Sequence, residues 1–438
     1  LDAARARHHV SGLVRREAAD DVLSATIDAY DERNGGFGSE PKFPYVDAVE
    51  LLFIQGTRHN PDCLRMAEHT LDGMIAGDLW DAAEGGFFRY ATAPDWTSPR
   101  FEKLLSVNAG LLRVYALGAH VRNRAEWRSI AERTVAWVDR MLAQPNGLWA
   151  GSQAADNDYY ATPVVQRGSA PPVDDVVYTT YNAQWIRALA EAGGRLERAD
   201  WIDRARVALD TLIQTMRAPG DVMYHFCRPN AKPEIGFLLI DAADTAFACV
   251  AVAQATGDSA YLAHAHRIAA GMERLFWAED GGFWERSKGA QEVGVTRYRE
   301  KPFELNAECA RLLNDLSLAT GERGFRALAE RTLAMLSPQA GRYGVSGATY
   351  AVAVEEFFEA PIRIVIVGDT ADGARLRAAA LQLPIANRQV WAMPQGGRIG
   401  PLNFSVQPGA AAYVATTRGV SQPVTQPEKL HEILATLR

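Results

Sequence analysis

Gly85-Gly86-Phe87-Phe88 opens a turn that this chain repeats five more times. The other stations are Gly35-Gly36-Phe37-Gly38, Gly147-Leu148-Trp149, Gly220-Asp221-Val222-Met223-Tyr224, Gly281-Gly282-Phe283-Trp284 and Gly341-Arg342-Tyr343, with first glycines 50 to 73 residues apart. That interval is one helical hairpin with its turns, and a steady period of this kind marks a stacked supersecondary unit. A second series runs in phase with the first. Cys63/Ala67, Trp127/Ala131, Trp201/Ala205, Tyr261/Ala265 and Phe325/Ala329 each place a bulky residue and an alanine on one helical face. Asn108, Asn182, Ala242 and Asn306 each stand nineteen residues ahead of the last four of these pairs and are followed by alanine, while Asp47-Ala48 takes a similar place in the first unit. Each unit therefore reads as a polar entry, an apolar helix, a short turn, a second helix and a glycine station. Six units predict an all-α (α/α)6 toroid over residues 13–360.

The pattern changes after residue 360. Ile362-Arg363-Ile364-Val365-Ile366-Val367 with Gly368-Asp369 reads as a β-branched strand ending in a turn. A helix over 371–381, strands at 389–393 and 412–415, and a closing helix over 427–437 complete a small α/β appendage, 361–438. Its single Gly368 does not make a dinucleotide fingerprint, so a structural cap is expected and no cofactor.

Composition bounds the rest. A chain of 438 residues exceeds what one compact core supports, and a ring evades that limit because each helix pair packs on its neighbours. The net charge of −7, with acid and base interspersed and no basic aromatic patch, argues against a nucleic-acid partner. No apolar run is expected to span a bilayer, so no membrane partner is predicted. The four cysteines form no Cys-x-x-Cys pair. They read as buried thiols in a reducing, cytoplasmic setting. No metal-ligand spacing stands out. The chain opens at Leu1 with no secretory leader, and a preceding segment is expected.

In a ring of helix pairs, the loops entering the inner helices surround one funnel. Two of them are long, 91–100 and 152–175, as functional loops tend to be. The polar groups expected at the funnel are Glu40 and Lys42, then Arg100, Glu102, Lys103 and Asn108, then Asp156, Asn182, His225, Asp241 and Asn306, with Asp244 and Glu304 nearby. Trp96, Trp149 and Tyr181 supply flat apolar walls. Carboxylates beside aromatic platforms suit a sugar, where one group donates a proton and another accepts it. Glu102 and Asp156 are the expected proton-transfer pair, with Lys42, Lys103 and Arg100 polarising. Glu40, Trp96, Asn108, Trp149, Tyr181, Asn182, His225, Asp241 and Asn306 are the expected substrate contacts. The asparagines read equally as caps or braces.

Gly35-Gly36-Phe37-Gly38-Ser39-Glu40-Pro41-Lys42-Phe43-Pro44 resembles the hallmark of the spermatogenesis-associated, thioredoxin-domain-containing proteins. Gly85 to Tyr90, Trp96, Phe101-Glu102-Lys103-Leu104-Leu105, Asn108-Ala109, Thr180-Tyr181-Asn182 and Leu239-Ile240-Asp241 resemble that family's later segments in order. The resemblance implies a six-hairpin, glycosidase-like toroid related to N-acylglucosamine 2-epimerases, preceded in the family by a thioredoxin-like domain that this chain lacks. It also implies departures. Arg100 stands where the family has histidine, Ser106-Val107 where it has Tyr-Asp, and no pair of histidines like that of the related epimerases is visible. A sugar epimerase, isomerase or glycosidase-like activity on a small-molecule sugar is the leading expectation. The alternative is a non-catalytic scaffold or sugar-binding module working with a thioredoxin-like domain or protein.

Overall fold

The computed structural model describes residues 13–288, 298–399, 402–404, 407–416 and 419–437. Leu1, with the expectation of a segment before it, lies outside them. Twelve helices form the ring: α1 Arg16–Asp28, α2 Val46–Arg58, α3 Pro61–Ala76, α4 Leu105–Arg122, α5 Ala125–Met141, α6 Thr179–Arg195, α7 Ala199–Met216, α8 Leu239–Thr256, α9 Ser259–Phe276, α10 Phe303–Thr320, α11 Arg323–Leu336 and α12 Ala348–Phe358. The even-numbered helices touch in the cycle α2, α4, α6, α8, α10, α12 and back to α2, which makes a closed inner ring. Each odd-numbered helix packs on an inner one, and α1 packs on α12, where the inner ring closes.

Burial explains the two sequence series. Trp127, Trp201, Tyr261 and Phe325 and their alanine partners are buried on the inward faces of the outer helices. Alanine at those sites lets an inner helix approach closely. Helix α8 is apolar nearly all round. Among the described residues, α8 alone is long and apolar enough to pass for a membrane span, contrary to the expectation that no run would be, and 83% of it is buried inside the ring. A helix hydrophobic on every side is what the core of a large ring requires.

At five of the six glycine stations the chain turns back on itself, while Gly341 sits in a run of 3-10 turns. Trp80 pairs with Phe87, Ala143 with Trp149 and Trp277 with Phe283 in short antiparallel bridges. Gly85 holds φ at +86°, and a Cβ there would stand 2.8 Å from the Arg133 carbonyl oxygen on α5. Left-handed backbone is costly for other residues, and a backbone atom cannot swing aside. Gly85→Ala is therefore expected to lower stability by about 2 kcal/mol, checked by urea unfolding against wild type.

The tail is a four-stranded sheet in the order β4-β3-β1-β2, with β1 Ile362–Val367, β2 Arg388–Met393, β3 Ala411–Thr416 and β4 Gly419–Val420. β1 and β2 are parallel, joined through α13 (Ala371–Leu381), and β3 runs antiparallel to β1. A last helix, α14 (Lys429–Leu437), covers β3. The tail seats on the C-terminal ends of the inner helices. Gln382 donates to the Gly194 carbonyl at 2.5 Å, Gln389 to Asp315 at 2.6 Å, and the Val390 amide to Gln254 at 3.0 Å. One end of the ring is thus plugged, and the loops entering the inner helices surround the other.

Candidate functional site

The open end is built on a clamp that recurs three times. Asn108 accepts from the Phe87 amide at 2.8 Å and donates to the Phe87 and Leu104 carbonyls. Asn182 does the same with Trp149 and Tyr178, and Asn306 with Phe283 and Pro302. Each amide ties a glycine station to the first turn of an inner helix and is fully buried. These asparagines brace the mouth and present no free amide to a substrate.

A lysine clamp accompanies it. Lys103 donates to Asp81 at 2.7 Å and to the Gly85 carbonyl at 2.8 Å. Lys42 donates to Asp31 at 2.5 Å and to the Pro94 carbonyl at 2.6 Å. Lys301 repeats the arrangement with Asp280 and the Gly281 carbonyl. Lys42 and Lys103 are both 0% exposed. Burial pulls Lys103 down to about 8 against the opposing pull of Asp81. Both ammonium groups are spent on the wall, so neither polarises a ligand in this structure. Trp96 and Trp149, expected as walls of the pocket, are likewise buried. Trp96 donates to the Asn34 carbonyl at 3.1 Å, and Trp149 packs edge-on to Trp185.

Other expected residues do meet at the mouth. Arg100, Glu102 and Asp156 line one cleft of about 550 Å³ with Arg89, Tyr90 and Phe101. Glu102 is 38% exposed and pairs with Arg89 at 3.0 Å. Asp156 accepts from the Tyr159 amide at 2.9 Å and so caps the one-turn helix Asn157–Ala161. A second cleft of about 500 Å³ lies between α2 and α4, lined by Phe43, Tyr45, Asp47, Arg89 and Val107. Arg89 is common to both. Phe43 stacks on Tyr90 with ring centroids 4.7 Å apart, which gives the two clefts an aromatic partition. Glu40 is exposed in the loop before α2.

Further round the mouth, His225 lies 3.0 Å from Asp241, which also accepts from Thr180 at 2.9 Å. The hydrogen bond to Asp241 pushes the His225 pKa up. Burial pushes Asp241 up, and His225 opposes it. Tyr178 stands against both His225 and Tyr181. His225 sits on the strand Val222–Cys227, which pairs with Val177–Tyr178 and Glu234–Gly236 in a rim sheet that the helical period did not predict.

The floor of the mouth is acidic. Asp244 on α8 is buried and accepts from Gln184 on α6 at 3.0 Å. Burial raises its pKa well above the carboxylate range, and Glu308 on α10 adds to the rise. Burial also raises Glu308, to about 7, helped by Asp47 and Glu304 and opposed by Arg187. Asp47 is held by Thr349 at 2.9 Å. A like charge close by disfavours ionisation of both, so the two carboxyls resist being charged together. Glu308 and Asp47 escaped the sequence-based site. The signal was available in register: Gly110, Gln184, Asp244 and Glu308 each stand two residues after the clamp position, and all differ.

Beneath them the lumen is filled by ion pairs. Arg113 bridges Glu50 and Glu191, both at 3.1 Å, and Arg311 bridges Glu50 at 2.6 Å and Glu356 at 2.7 Å. The site is therefore a shallow mouth with an acidic floor, closed below by guanidinium groups.

No protein-family model matches the chain. Over 135 residues it is 32% identical to spermatogenesis-associated protein 20 of Mus musculus, a match covering 30% of this chain and 17% of that protein. The chain thus matches less than a fifth of that relative's length. Among solved structures, a sugar epimerase from a ruminal bacterium superposes with a TM-score of 0.59 at 13% identity, covering 73% of this chain and 84% of that one. A GH76 α-mannanase of Bacteroides thetaiotaomicron gives 0.55 at 11% identity, covering 77% and 94%. These likenesses establish the six-hairpin toroidal fold.

Proposed function

We propose that the open mouth is a carbohydrate site at which Glu308 and Asp244 transfer a proton to and from the sugar. The observation that carries this reading is the placement of buried Asp244 and half-buried Glu308 near the starts of α8 and α10, close to Asp47, which lines the second cleft, with burial raising both carboxyls above the ordinary range. A carboxylic acid that keeps its proton near neutrality can donate it to a glycosidic or carbonyl oxygen, and its ionised neighbour can receive one from carbon or water. The two clefts, each about 500 Å³ or a little more, give room for a mono- or disaccharide. Arg89, Arg100, Glu102 and Asp156 would hold its hydroxyl groups at the rim, and Phe43 with Tyr90 would stack on a ring face. The epimerase and mannanase neighbours support a sugar as the substrate class.

The test is proton NMR in D2O with aldoses, ketoses, N-acylhexosamines and short oligosaccharides. New sugar signals, or exchange of one C–H signal for deuterium, are expected. Line broadening without turnover would favour a binding module, of the kind that works beside a thioredoxin-like partner. Spectra that neither change nor broaden would reject a sugar site.

A further inference from the structure

The plugged end holds a second polar cavity, about 90 Å³ in volume, between the ring and the tail. Five guanidinium groups line it: Arg113, Arg187, Arg195, Arg311 and Arg388. Four of them have carboxylate partners. Glu191 serves Arg113, Arg187 and Arg195, while Glu50 and Glu356 serve Arg311. Arg388, the first residue of β2, is the exception. Its terminal nitrogens donate to the Ile385 and Leu381 carbonyls, and its Nε is buried with no partner. Two further donors beside the cavity are also buried and unpaired, Arg195 Nε and Asn387 Nδ2. The remaining acid, Asp315, accepts from Gln389 at 2.6 Å, and burial with Glu356 nearby pushes it up, against ionisation.

A guanidinium does not shed its proton in a protein, and buried charges are paired. Five guanidinium groups line the cavity against four carboxyl groups, Glu50, Glu191, Asp315 and Glu356, so the lining carries an excess of positive charge that calls for a counter-ion. We propose that a small inorganic anion occupies this cavity, held by Arg388 from the tail and Arg195 and its neighbours from the ring. A volume of this size admits a halide with water or a single tetrahedral oxyanion. The anion is then a bolt between the two parts of the chain. It does not touch the mouth, so its test is independent of the sugar reading.

Full-length chain would be equilibrated in the sodium salt of a bulky buffer sulfonate and titrated with chloride or phosphate at constant ionic strength. A saturable rise in melting temperature is expected, and the more effective anion identifies the natural class. Arg388→Gln should weaken the apparent affinity by about tenfold or more, the worth of one charged hydrogen bond. Arg375→Gln, at an exposed arginine of α13 paired only with Asp372, should leave it unchanged. In bromide-soaked crystals, anomalous density is expected against Arg388 and Arg195. Absence of that density overturns the proposal, as does an anion response identical in wild type and Arg388→Gln. If Arg388→Gln does not fold, the bromide soak of the wild type decides alone.

Discussion

Glu308→Gln is expected to lower sugar turnover by roughly 10²- to 10⁴-fold, the range for removing a positioned acid or base, while making the folded chain more stable at pH 8. The two effects have one cause. In the folded chain Glu308 holds its proton up to about pH 7, against an ordinary glutamate value of 4.5 when unfolded. Between those values the folded state binds more protons, so stability present below pH 4.5 is lost as the pH rises through 7. The loss from this group is of order 3 kcal/mol. Glutamine mimics the protonated acid and removes the pH-dependent loss. Thermal melts of both proteins from pH 5 to 8 should converge at the acid end and separate at the basic end. Full activity in Glu308→Gln would take proton transfer away from the floor of the mouth. A flat stability difference across that range would mean that Glu308 is already ionised in the folded chain.

Arg311→Ala should be the most damaging single change in the lumen, costing about 3–5 kcal/mol. Arg311 holds two carboxylates from two different inner helices, and Glu356 has no other ion-pair partner among the described residues. Burial alone would raise Glu50, but Arg311 and Arg113 hold it below the ordinary carboxylate range. Removing Arg311 strands one acid and leaves the other with half its support. The double variant Arg311→Met/Glu356→Gln keeps the volume without the charges. It should recover at least half of the loss in urea unfolding, because the damage comes from an unpaired charge more than from lost packing. Equal instability in both variants would locate the damage in packing.

The repeat made the ring legible, because glycine at positive φ and alanine at close helix contacts leave few substitutes. The same repeat explains why several candidate residues proved to be wall. Lys42, Lys103 and Lys301 each stand five residues before Asp47, Asn108 or Asn306. A group present in several units at one spacing serves what those units share, which is the turn. Chemistry needs its groups once. Arg113, Arg187 and Arg311 recur five residues after the clamp asparagines and make the ion-paired layer, whereas Gln184, Asp244 and Glu308 break the pattern at one register. That contrast is readable only after the units are aligned residue by residue. The rim strand Val222–Cys227 was hidden for a different reason: it lies in one unit only, outside the helical period.

The closure of α12 on α1 and α2 also constrains how the chain is made. The nascent chain extrudes α1 well before its partner helix, which begins only at residue 348. At ~5–20 residues per second, tens of seconds separate the two. Throughout that interval an open crescent shows solvent or a chaperone an apolar seam that the finished ring conceals. Premature termination between α10 and α12 would leave that seam uncovered for good. Quality control can therefore tell a complete chain from a truncated one by a single surface.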